Sequence, residues 1–204
     1  MKFDKDIYLI TKDYIDFNVL LTKTEEALSE GVRILQYRSK DNDKLTQCNQ
    51  SHILKGLCHK YNTKLIINDD VDIAIEVGAD GVHLGQDDIN IDKARNTMGN
   101  DFIIGATTKT VDQAIKAYEQ GADYLGVGAL YPSPTKINAK TIDIQTLINI
   151  KNAVPISIVG IGGITADNLT TEIVTNVDAI AVISEIYDSN NIKEKVNQLN
   201  NMLK

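Results

Sequence analysis

The chain reads as an α/β protein, a single (β/α)8 TIM barrel over residues 1–204, and three observations predict it. Eight short β-rich runs recur at a spacing of about 25 residues, near the lower size limit of that fold. Most are almost continuously apolar, as parallel strands covered on both faces must be, while the segments between them show helical spacing. Finally, "EVGADGVHLG" at 76–85 and "EQGADYLGVG" at 119–128 repeat one pattern of helix end, Gly-Ala-Asp and strand.

In order, "IYLIT" at 7–11 is the first strand, "RILQYRS" at 33–39 the second and "KLIIN" at 64–68 the third. "GVHL" at 81–84 follows the first Gly-Ala-Asp, whose glycine suits a helix C-cap with positive φ. "FIIGAT" at 102–107 is the fifth strand, and Val111, Ala114, Ile115 and Tyr118 form the helical stripe after it. "YLGVG" at 124–128, the sixth, runs into "ALYPSPTK", where Pro132 and Pro134 forbid a continuing ladder or helix and impose an extended connection. Leu147, Ile148 and Ile150 begin another helical stripe before "ISIVGIG" at 156–162. The last strand, "AIAVIS" at 179–184, keeps the preceding aspartate of the echo but not its glycine. The alternative, a doubly wound open sheet, lacks its Gly-rich nucleotide fingerprint after the first strand.

Three prolines, 13 glycines and no Gly/Ser linker argue for one domain. A net charge of -7 with arginine only at positions 33, 38 and 95 argues against a broad nucleic-acid or anionic-lipid face. An anionic ligand must then meet a local cationic pocket. The opening "MKFDKDIYLITKDY" has no long apolar segment and carries acids early, so neither a signal peptide nor a membrane span is expected, and the expected location is cytoplasmic. Cys48 and Cys58 have no metal spacing around them and read as ordinary thiols. The sequence leaves open whether identical chains assemble into a homo-oligomer.

In such a barrel the active site is built from the loops after the strands. Gln36, Arg38 and Lys40 occupy alternate positions, and strand alternation is expected to aim an amide and two cations at one anionic group. "NDD" at 68–70 and "HLGQDD" at 83–88 present carboxylates from neighbouring loops, a usual way to hold Mg²⁺ beside a diphosphate. Each also has a plainer reading: a helix cap for Asp69 or Asp70, a turn for Asp87 and Asp88, a hydrogen-bonded rim or core residue for His83. "GATTKT" offers Thr107 and Lys109, with Thr110 as a cap. The glycines of "GIGGIT" and the end of "VIS" place Gly162, Gly163, Ile183 and Ser184 where barrels often cradle a phosphate monoester. Between the two anion sites, the prolines hold Ser133 and Thr135 as donors, and Lys136 reaches an anion.

Taken together, Gln36-x-Arg38-x-Lys40, Asn68-Asp69, Gly85-Gln86-x-Asp88, "GVGALYPSPTK" and "GIGGI" resemble the thiamine-phosphate synthase family, over nearly the whole chain. The resemblance implies a (β/α)8 barrel that joins 4-amino-2-methyl-5-hydroxymethylpyrimidine diphosphate to a thiazole phosphate, with Mg²⁺, giving thiamine phosphate and diphosphate. It implies small-molecule substrates only. It assigns Gln36, Arg38, Lys40, Asn68, Thr107 and Lys136 to the pyrimidine diphosphate, with Arg38, Lys40 and Lys136 neutralising the leaving group. Asp69 and Asp88 are implied Mg²⁺ ligands, and Ser133, Thr135, Gly162 or Gly163, Ile183 and Ser184 implied contacts of the thiazole phosphate. Asp70 stands where many members have arginine, Thr107 where many have serine and Lys109 where histidine is frequent. A related thiazole tautomerase, on the same barrel, would need neither the Mg²⁺ carboxylates nor the diphosphate cations; a non-catalytic barrel binding a thiamine precursor would bind without releasing diphosphate.

Overall fold

The computed structural model describes residues 2–13, 15–133 and 140–204. Eight parallel strands close into a barrel in chain order: β1 (Asp6–Ile10), β2 (Ile34–Tyr37), β3 (Lys64–Asn68), β4 (Gly81–Leu84), β5 (Ile103–Thr108), β6 (Tyr124–Val127), β7 (Ser157–Gly160) and β8 (Ala179–Val182), with β8 returning to pair with β1. Helices α1 (Phe17–Ser29), α2 (Lys44–Lys60), α3 (Val71–Val77), α4 (Ile91–Met98), α5 (Val111–Glu119), α6 (Ile144–Ala153) and α7 (Thr171–Asn176) follow β1 to β7 in turn; α8 (Ser184–Tyr187) and α9 (Ile192–Leu203) follow β8. The third and fourth strands have the predicted bounds. The second, seventh and eighth stop two residues short of them, because their last predicted residues belong to the loops that build the site.

Alternation within the strands makes two cores. Ile7, Leu9, Leu35, Leu65, Ile67, Val82, Ile104 and Leu125 pack outward against the helices. Tyr8, Ile34, Ile66, Tyr124, Val159, Ala179 and Ala181 fill the interior. Phe3 closes the N-terminal end of that interior, its ring edge-on to Tyr124 with centroids 5.3 Å apart.

The Gly-Ala-Asp echo marks a repeated clamp at the same end. Asp80 Oδ2 accepts from the backbone N–H of Leu65 at 2.9 Å and from Lys55 Nζ at 2.7 Å. Asp123 Oδ2 does the same with Ile104 N–H at 2.8 Å and Arg95 Nη2 at 2.6 Å, and Asp178 Oδ2 with Ile158 N–H at 2.7 Å and Lys151 Nζ at 2.6 Å. Each aspartate precedes an even-numbered strand, ties down the start of the odd-numbered strand beside it, and takes its cation from the helix that leads into that odd-numbered strand. At the opposite end, aspartates and threonines start the helices: Asp16, Asp43, Asp70, Thr110, Asp143 and Thr170 each accept a first-turn backbone N–H. Such caps are worth about 1 kcal/mol apiece.

Candidate active site

At the C-terminal mouth lies a cavity of ≈ 140 Å³ lined by seven of the residues that the resemblance assigns, Gln36, Arg38, Asn68, Thr107, Ser133, Gly162 and Ile183, and by His83 and Lys109. Ile10, Ala129, Val159 and Ile161 supply its apolar wall. Gly163 and Ser184 line a second cavity that shares Ser133, Gly162 and Ile183 with the first, so the two adjoin. Lys40, Asp69 and Asp88 stand outside both. Thr135 and Lys136 lie outside the described residues.

The alternation argument holds for Gln36 alone, because β2 ends at Tyr37. Arg38 is placed instead by the end of β1. Its backbone N–H donates to Thr11 Oγ1 at 2.8 Å, and the Thr11 hydroxyl donates back to its carbonyl at 2.9 Å. Its guanidinium donates through Nη1 to Asp13 Oδ2, with both side chains only 11% exposed. Asp13 Oδ1 accepts the backbone N–H of Lys40 at 3.2 Å, so one carboxylate fixes both cationic positions. A guanidinium has five N–H donors, and the contact to Asp13 leaves most of them for a phosphate.

The acidic loops divide by role. Asp70 caps α3 by accepting from Ile73 N–H at 2.9 Å. Asp69 adopts φ 65°, left-handed backbone that Asp tolerates better than most residues, and its side chain pairs with Lys40 Nζ and hydrogen-bonds Asp88. Asp88 Oδ2 also accepts from Gly85 N–H at 2.6 Å. Burial raises the Asp69 carboxyl, but hydrogen bonds from Lys40 and Asp88 outweigh it and leave the group below the ordinary carboxylate value. Asp88 goes the other way, raised first by burial and then by the facing Asp69. Two abutting carboxylates of this kind are a donor set suited to a hard divalent cation. Among the described residues no cluster of three or more His, Cys, Asp or Glu stands ready to hold a metal, so further oxygens would have to come from substrate and water.

On the opposite wall the "ALYPS" segment lies against the β7–α7 loop. Leu130 N–H donates to Ile161 O at 2.9 Å and Tyr131 N–H to Gly162 O at 3.0 Å. Only glycine permits this approach: a Cβ at Gly162 would sit 2.4 Å from Ala129 Cβ, and one at Gly163 would sit 2.3 Å from the Pro132 carbonyl oxygen. The contact delivers Ser133 to the junction of the two cavities.

With this geometry in place, residues 7–186 match the family described as thiamine monophosphate synthase. The chain belongs to that family. It is 44% identical over 199 residues to the thiamine-phosphate synthase of Clostridium perfringens strain SM101, covering 98% of this chain and 96% of that one. It is 41% identical over 202 residues to the enzyme of the same name from Clostridium acetobutylicum, covering 98% and 96%. The thiamine phosphate pyrophosphorylase structure from Pyrococcus furiosus superposes with a TM-score of 0.86 at 31% identity over 97% of this chain and 95% of that one. A 3-hexulose-6-phosphate synthase, at 13% identity and a TM-score of 0.70, shares the fold.

Sequence reading missed several residues around this cavity. Asp13 and Thr11 follow the first strand in "ITKDY", and a charged residue at a strand end was the available signal. Tyr8 and Tyr124 line or underlie the cavity from inside the barrel; as apolar-looking strand residues 116 positions apart they carried no local sign of their 2.6 Å contact. His83 is a hydrogen-bonded interior residue, as its plainer reading had it.

Proposed function

We propose that this chain condenses 4-amino-2-methyl-5-hydroxymethylpyrimidine diphosphate with thiazole phosphate to give thiamine phosphate and diphosphate, by a dissociative substitution. The methylene C–O bond breaks with its electron pair leaving on diphosphate, and the thiazole nitrogen then donates its lone pair to the pyrimidinylmethyl cation. No side-chain nucleophile is needed for this; what is needed is stabilisation of the departing charge, alignment of two rings and exclusion of water. The observation that carries the reading is the arrangement of Arg38, held by Asp13, at one side of an apolar-walled cavity whose other side is the Gly162–Gly163 loop. One side suits a diphosphate, the other a monophosphate, and the space between suits flat rings.

Arg38 and Lys40 would neutralise the leaving diphosphate, Gln36, Asn68 and Thr107 would orient the pyrimidine half, and Ser133, Gly162 or Gly163, Ile183 and Ser184 would hold the thiazole phosphate. Lys136 and Thr135 are assigned to the same two groups by family resemblance. Asp69 and Asp88 would hold Mg²⁺, which when bound supplies positive charge to the diphosphate oxygens. A thiazole tautomerase has no use for that carboxylate pair or for Arg38. The test is to mix purified protein with both substrates, with and without Mg²⁺, and assay thiamine phosphate and diphosphate. Formation of both in equal amounts, dependent on Mg²⁺, is expected; binding of either substrate without diphosphate release would sink the proposal.

A further inference from the structure

A line of hydrogen bonds crosses the barrel beneath the cavity, and the reaction as described uses only its two ends. Gln36 Nε2 donates to Tyr8 Oη at 2.9 Å, and Tyr8 Oη lies 2.6 Å from Tyr124 Oη. Tyr124 Oη lies 3.0 Å from His83 Nδ1, and His83 Nε2 lies 2.9 Å from Thr107 Oγ1. Five strands contribute one member each. Two strand glycines make room: a Cβ at Gly105 would sit 2.1 Å from Tyr124 Cζ, and one at Gly126 would sit 3.0 Å from His83 Cε1. Glycine weakens a strand interior, so its presence beside both rings points to close approach as the reason.

Proton counting gives the line a direction. Tyr8 accepts from Gln36 and has one proton to give, which goes to Tyr124; Tyr124 in turn gives its proton to His83 Nδ1. An accepting Nδ1 puts the ring proton on Nε2, which donates to Thr107. The reverse order would bring two donors onto Tyr8 and strand its own proton at a site 1% exposed, costing about 1–3 kcal/mol. Both ends of the line open on the same cavity. Gln36, donating through its amide nitrogen below, is left with Oε1 as an acceptor above, and the Thr107 hydroxyl is left with a proton to donate.

We propose that Tyr8, Tyr124 and His83 form a positioning line that holds His83 as its Nε2–H tautomer and so presents an acceptor at Gln36 to the amine of a bound aminopyrimidine and a donor at Thr107. The ligand named here rests on the function proposed above; the proton order does not. Imidazole ¹⁵N NMR on the labelled full chain tests the order, with His83 assigned by removing the two exposed histidines in His52→Gln and His59→Gln. The expected spectrum has a protonated Nε2 and a bare, hydrogen-bonded Nδ1; a proton on Nδ1 overturns the proposal. Tyr8→Phe keeps the Tyr124 donor, and therefore the tautomer, while freeing the Gln36 amide to rotate. Calorimetry should show its affinity for the pyrimidine diphosphate falling roughly tenfold, the loss of about one well-oriented hydrogen bond, with thiazole phosphate affinity unchanged. Unchanged affinity for the pyrimidine diphosphate would refute the part assigned to Gln36. Absence of turnover in the unaltered chain would count against the proposed reaction, and the tautomer result would stand apart from it.

Discussion

The two ends of the barrel use aspartate in opposite ways. At the N-terminal end Asp80, Asp123 and Asp178 each meet a backbone N–H and a cation from the overlying helix, so every carboxylate is matched. At the C-terminal end Asp69 and Asp88 face each other, and Lys40, itself half-exposed, is the cation paired with Asp69. A matched carboxylate stabilises the fold. A pair of abutting carboxylates is disfavoured until a cation arrives, and such local disfavour is how binding sites differ from structural ones.

The sharpest break in this comparison is Arg38→Ala. Removing a charge that stabilises a departing anion should lower turnover of the folded protein by about 10²–10³-fold, while Asp13, left without its partner, lowers stability as well. Near-normal turnover would take Arg38 out of the reaction. Asp80→Ala should affect stability alone: it falls by about 2 kcal/mol, the worth of hydrogen bonds to a charged group, and turnover of the folded fraction is retained. A loss of activity without a loss of stability would erase the division between the two ends.

Acid sharpens the contrast. The folded Asp80 carboxyl lies below its ordinary value: burial raises it, but hydrogen bonds from Lys55, Lys64 and the Leu65 N–H more than offset that. A carboxyl depressed on folding contributes stability above its unfolded value, near pH 3.9, and that contribution is lost as pH falls through the folded value. The deficit of Asp80→Ala should therefore shrink in acid unfolding experiments, and a deficit unchanged at low pH would contradict the clamp. Asp88 carries the opposite sign, since its folded carboxyl is raised and its ionisation opposes folding.

Asp13→Asn should produce a smaller effect, confined to one substrate. With the carboxylate charge gone, Arg38 loses its anchor but keeps its own charge. KM for the pyrimidine diphosphate should rise about tenfold, as misplacement of a positioned group costs, with KM for thiazole phosphate unchanged. Equal changes in both would mark Asp13 as a general structural support.

How much of this was legible follows from where each signal lies along the chain. The barrel showed because continuous apolar runs and helical stripes are local, and so did the Gly162–Gly163 loop and the "YPSPTK" stretch that holds Ser133. The aspartate before the strand was seen as a repeat, but its purpose needs Leu65, Ile104 or Ile158 on a neighbouring strand. Asp69 and Asp70 are adjacent and chemically equal, and only the backbone turn at φ 65° sends one to Asp88 and leaves the other to cap α3. The placement of Arg38 was attributed to alternation, which ends one residue before it, whereas Asp13 sets it from 25 positions away.

The most direct test of the central claim is a Mg²⁺ titration of thiamine phosphate formation by the unaltered chain and by Asp88→Asn. The substitution relieves the facing charges, so stability should stay within about 0.5 kcal/mol or rise. The Mg²⁺ concentration for half-maximal rate should increase about tenfold or more and the plateau should fall, as loss of one carboxylate ligand predicts. Superimposable titrations would mean that the facing carboxylates at the barrel mouth have no part in the reaction.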